Sequence, residues 1–95
     1  MENQIQQVQR VTLAGAVMPV TFTKNSGQFL VKNFSSGDIY ASFEETVNPS
    51  TSIKISAGMG QRCVINENGG GNGQAKAKTI YLNGTGEVEV QILWF

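Results

Sequence analysis

The stretch TIYLNGTGEVEVQILW, residues 79–94, decides the fold class. Ile80 and Leu82 bracket Tyr81. Farther on, Val88, Val90, Ile92 and Trp94 alternate with Glu87, Glu89 and Gln91. Successive side chains of a strand point to opposite faces, so this period of two describes strands with one face buried and one face wet. Between the two runs stands Asn83-Gly84, a pair that favours the positive φ angles of a type I′ turn. The reading is therefore a hairpin, with one strand ending at Leu82 and the next starting near Glu87.

The same period recurs outward from that stretch. DIYASFE sets Ile39, Ala41 and Phe43 against Tyr40, Ser42 and Glu44, and SIKIS sets Ile53 and Ile55 against Lys54. VTFTK sets Val20 and Phe22 against Thr21 and Thr23, and RVTLA gives Val11 and Leu13. QFLVKNF and QRCVIN are more continuously apolar, as expected of strands covered on both sides or close to a bulge. Turn-forming clusters separate the runs: AGAVMP at 14–19, KNSG at 24–27, SSGD at 35–38, VNPS at 47–50, AGMG at 57–60, a glycine-rich loop at 66–75, and NGTG at 83–86. Asp38 is expected to cap the SSGD turn through its side chain. Short strands punctuated this often predict an all-β fold, a single-domain antiparallel β-sandwich of jelly-roll or immunoglobulin-like type with about eight strands. The sandwich is expected over residues 11–95, and residues 1–10, rich in glutamine with Ile5 and Val8 as their apolar members, as an N-terminal arm.

Composition narrows the function classes. The chain has 95 residues, enough for one domain with a modest core. Seven basic and seven acidic residues cancel, which argues against nucleic acid as a partner. Charged residues make up 15%, below the roughly 25% usual in soluble domains, so wide neutral areas are expected, as suits packing against other proteins. With no histidine, the commonest general base and metal ligand is missing. The single cysteine, Cys63, cannot form an intramolecular disulfide, and in the run Cys63-Val64-Ile65 it reads as a small core residue. MENQIQQVQR has no apolar core of a signal peptide, and no apolar run approaches the ~18 residues of a membrane helix.

Two features invite a chemical reading and lose it on inspection. NENGGGNGQAKAK, residues 66–78, has the glycines of a phosphate loop. However, it lacks the Gly-Lys-Ser/Thr ending and leads into a strand rather than a helix. It reads as a loop between strands, flanked by Lys76 and Lys78. Glu87 and Glu89 share a strand face and could pair for acid–base work, but nothing else converges on them, so a solvated sheet face is the expectation. No catalytic, cofactor-binding or metal-ligating residue is expected, and an enzyme is the weakest of the classes considered.

The residues left for a partner are Tyr40 and Tyr81, on the faces opposite the core, and the apolar ends of the chain. Leu93-Trp94-Phe95 should be covered by the core or by another subunit. Ile5, Val8, Tyr40, Tyr81, Trp94 and Phe95 are thus the candidate contact residues. The phrases FLVKNFSSGDIYASFEE, SIKISAGMG and TIYLNGTGEVEVQIL, within residues 29–93, resemble the small all-β proteins of tailed-bacteriophage particles. The resemblance implies a virion component made in the host cytoplasm: a homotrimeric capsid decoration protein, or the capsid-bound base of a head fibre, seated on the major capsid protein. With no stalk-like segment in these residues, a compact decoration protein is the nearer expectation. The alternative is a small carbohydrate- or protein-binding module using Tyr40, Tyr81 and the 66–75 loop. Neither reading expects a cofactor, nucleic acid or membrane.

Overall fold

A computed structural model describes residues 7–45, 47–48, 52–64 and 77–94. Eight strands form: β1 Val8–Ala14, β2 Met18–Ser26, β3 Gln28–Asn33, β4 Ile39–Ser42, β5 Ile53–Ile55, β6 Gly60–Val64, β7 Ala77–Asn83 and β8 Thr85–Trp94. They make two four-stranded sheets, sheet A in the order β1-β8-β3-β6 and sheet B in the order β2-β7-β4-β5. Every recorded strand pair is antiparallel, and β1 pairs with β8, β2 with β7, β3 with β6 and β4 with β5. That nested pairing, folded over into two layers, is the jelly-roll arrangement. Of the two sandwich types expected, the jelly roll is the one the chain adopts.

Alternation sorts the core as the sequence implies. Val20, Phe22, Ile39, Ala41, Ile55, Ile80 and Leu82 of sheet B face Leu13, Phe29, Val31, Cys63, Val88, Val90 and Ile92 of sheet A, all buried. Phe22, Phe29 and Phe43 meet between the layers with centroids 6.0 and 5.6 Å apart and tilted rings. Each fully buried aliphatic or aromatic side chain contributes about 1.5–3 kcal/mol, so this layer supplies the main drive to fold.

Three local expectations are corrected and a fourth is narrowed. Asn83-Gly84 is not a hairpin: β7 belongs to sheet B and β8 to sheet A, and Gly84 alone carries the chain across. Gly84 takes φ 152°, and a Cβ there would lie 2.3 Å from Ile39 Cδ1, so the glycine serves a close crossing rather than a tight turn. KNSG is likewise not a free turn, because β2 runs through Ser26 and only Gly27 separates it from β3. The extra residues are absorbed by a register shift between Thr21 and Ser26. β3 and β6 are not covered on both sides, since Phe29, Val31 and Cys63 are buried while Leu30 is half-exposed and Val64 exposed; the other reading, a nearby bulge, holds for β3, whose register with β8 shifts between Gln28 and Phe29. Finally, β1 starts at Val8, so Val8–Arg10, expected within the arm, pair with residues 89–91 of β8.

The β3–β4 turn is organised by Asn33 rather than Asp38. The buried Asn33 Nδ2 donates to the carbonyls of Gly37 (2.8 Å) and Ile55 (2.9 Å). Its Oδ1 accepts from the Ser35 N–H (2.8 Å) and hydroxyl (2.6 Å). One amide thereby ties sheet A to the turn and to β5 in sheet B. Asp38 instead stands 3.9 Å from Lys54.

Candidate functional site

The outward sides of the two sheets differ in kind. On sheet A, the register sets Arg10, Glu89, Lys32 and Gly60 in one row across all four strands. Arg10 approaches Glu87 at 3.6 Å and Glu89 at 3.8 Å, and Lys32 approaches Glu89 at 3.6 Å. Arg10 also lies 4.9 Å from the centre of the Phe34 ring. Glu87 and Glu89 are therefore ion-paired members of a wet face, the structural role expected of them.

On sheet B, the outward register rows are Thr21–Thr79, Pro19–Tyr81–Ser42 and Asn83–Tyr40–Lys54. Tyr40 lies opposite Asn83 and Tyr81 opposite Ser42, so the two tyrosines are diagonal neighbours on adjacent strands, ~7 Å apart at Cβ. Both are half-buried, which holds the rings against the sheet. The Thr21 and Thr79 hydroxyls share a hydrogen bond of 2.9 Å. Among these described, register-paired positions Lys54 is the one charge, at the margin. An aromatic side chain with a polar tip, set among hydroxyls and amides, can make both apolar and hydrogen-bonded contact.

The candidate residues thus divide. Tyr40 and Tyr81 are brought together on sheet B. Val8, 41% exposed, lies on the opposite side of the molecule, in the outward row Val8–Gln91–Leu30–Arg62 of sheet A. Trp94 takes register opposite Gln28, but a shift intervenes, since Phe29 faces Ile92; the unbroken alternation of β8 ends at Ile92. Ile5, Phe95 and the 66–75 loop lie outside the described residues.

The sheet edges are guarded. β1 carries Arg10, β2 carries Pro19 and a register shift, the three-residue β5 carries Lys54, and β6 carries Arg62. Such features discourage strand-to-strand pairing between molecules and leave the faces as the surfaces for contact. Burial raises the Cys63 thiol from 9.0 to about 12, so it is not a nucleophile at neutral pH. Among the described residues, no group of three or more Cys, Asp or Glu side chains is placed to hold a metal ion. In comparisons with known proteins, no family model matches the chain, and no curated protein or solved structure matches it at a significant level.

Proposed function

We propose that the chain is a non-enzymatic structural protein of a tailed-phage particle, a homotrimer that decorates the capsid surface or forms the base of a head fibre on the major capsid protein. The observation that carries this is the sheet B face, where Tyr40 and Tyr81 stand together with Lys54 as the one charge among the paired positions. Charge depletion and tyrosine enrichment mark the centres of protein–protein contacts. The phrases within residues 29–93 supply the phage assignment. The jelly-roll order agrees with it by analogy, since viral capsid domains use that architecture, as do lectins.

In this reading sheet B is the contact between copies. Light scattering after size exclusion, over a wide concentration range, should give a trimer for the natural chain and a smaller mass for Tyr40→Ala/Tyr81→Ala. A strict monomer for the natural chain would overturn the homotrimer. It would favour the second reading, a carbohydrate-binding module, for which the same tyrosines sit beside Ser42, Thr79 and Asn83 as hydrogen-bonding groups. A glycan-array signal abolished by Tyr81→Ala would then identify that activity.

A further inference from the structure

Asn33, the last residue of β3, uses every hydrogen-bonding group it has. Its backbone N–H donates to Met59 O at 2.8 Å, and its carbonyl accepts from Gly58 N–H at 2.9 Å. Its side-chain Nδ2 serves Gly37 O and Ile55 O, and its Oδ1 takes the Ser35 N–H. The partners fix which way round the amide lies, because a flipped amide would set its oxygen against two carbonyls. Two turns that are distant in sequence thus meet on one residue: the β3–β4 turn, residues 34–38, and the β5–β6 turn, residues 56–59.

Neither turn has much burial to hold it. Every residue in both is exposed except the half-buried Ser35. β5, which leads into the second turn, is three residues long and stands at the edge of sheet B with β4 as its neighbour. Exposed turns and short edge strands are where local opening is expected. If the β5–β6 turn lifted alone, Nδ2 would lose Ile55 O and keep one hydrogen without a partner in a site only 1% exposed. If the β3–β4 turn lifted alone, Nδ2 and Oδ1 would both be left short. A buried polar group without a partner costs more than its bond contributed. The amide escapes that cost only by swinging out to water, and doing so releases the other turn.

We propose that Asn33 is a latch, through which the 34–38 turn, the 56–59 turn and β5 open and close as one unit while the rest of the sandwich stays folded. Closed, the latch holds Lys54 in the row Asn83–Tyr40–Lys54. Open, it leaves β4, with Tyr40, as the edge of sheet B. The latch does not depend on the phage-particle assignment.

The test is hydrogen exchange of single amides, read by NMR on the natural chain, Gly58→Ala and Ser35→Ala. Gly58 takes φ 76° in a turn closed by Met59 N–H on Ser56 O at 3.0 Å, and nothing lies within 4 Å of an added Cβ. Gly58→Ala therefore strains its own turn alone, and should favour opening about 5–30-fold. Through the latch, Ser35 N–H on the other turn should lose protection by the same factor as Asn33 N–H, and so should the β4 amides that bond to β5. Ser35→Ala is the reciprocal variant. It removes the hydroxyl that donates to Asn33 Oδ1 at 2.6 Å, and should speed exchange of Gly58 N–H about fivefold. Gly15 N–H, bonded to Gly84 O and outside the latch, should keep its natural rate in both variants. Acceleration confined to the altered turn would overturn the latch. Equal acceleration at Gly15 would overturn it as well, because the unit that opens would then be the whole domain.

Discussion

Sheets A and B share one core and the same number of strands, yet finish their outer sides differently. Sheet A writes a row of alternating charge, Arg10–Glu89–Lys32, in which each side chain has a cross-strand partner of opposite sign. Sheet B writes tyrosine, threonine, serine, asparagine and proline, with Lys54 at the edge. Paired charges on a sheet are hydrated and costly to strip of water, which keeps a face in solution. Hydroxyls and aromatic rings cost much less to bury, since each finds a partner easily. The same fold thus carries one face that is costly to strip of water and another that costs less to bury.

The comparison holds only while the sheets keep their relative position, and the largest effect should come from disturbing that. Gly86, at the start of β8, takes φ 121°, and a Cβ there would lie 2.3 Å from Ser35 Cβ and 3.2 Å from Ser35 Cα. Gly86→Ala must therefore push the β3–β4 crossing away, and adopt a φ that L-residues avoid. Strain and overpacking together should cost about 3–5 kcal/mol. For a domain of this size that lowers the melting temperature by about 15–25 °C. Gly37→Ala in the same turn is the control, because nothing lies within 4 Å of the added carbon. Equal melting temperatures for the two variants would show that the crossing yields easily and that the two faces do not depend on it.

The sequence makes the sorting of inside from outside legible and conceals the route of the chain. Alternation alone places Val88, Val90 and Ile92 inside, and Tyr40 and Tyr81 outside, because side-chain direction is a local property of a strand. Which sheet a strand joins is not local. Asn83-Gly84 has the residues of a hairpin, and nothing in them states that Ile39 and Asp38 will pack against Gly84 from another part of the chain. Asn33 is hidden for the same reason. Its place two residues after Val31 assigns it to the inner face, but its partners Gly37 and Ile55 belong to a turn and to the other sheet. Of the candidate site, the tyrosines were readable singly as outward-facing residues. Their meeting on one face required the β4–β7 register.

A smaller effect sharpens the contrast from within. Cys63 faces inward from edge strand β6, and burial holds its thiol at about 12 instead of 9.0. The folded state favours the neutral thiol. Its contribution is complete below about pH 9, where unfolded and folded chains both keep the proton, and it fades as the pH rises from there toward 12. The slope should approach about 1.4 kcal/mol per pH unit above pH 9. Stability of the natural chain should thus fall more steeply from pH 9 to 10 than that of Cys63→Ala, measured by urea unfolding. Parallel slopes would mean that the thiol is less enclosed than the inner face of sheet A implies.

The smallest effect is the one that bears most directly on why the faces differ. Glu89→Gln removes the shared carboxylate between Arg10 and Lys32, with little change in shape. Both cations are largely exposed, so water and salt already weaken these pairs, and the loss should be below about 1 kcal/mol. It should shrink further in 1 M salt, where the Debye length falls to about 3 Å. Urea unfolding of natural chain and variant, at low and high salt, gives both numbers. A penalty of several kcal/mol, insensitive to salt, would show that the row is a structural element of the sandwich and not a hydrated surface. A small, salt-sensitive penalty means that the charges are there for the face they present. Sheet B, which forgoes them at its paired positions except Lys54, then gives up almost no folding stability by lacking such a row.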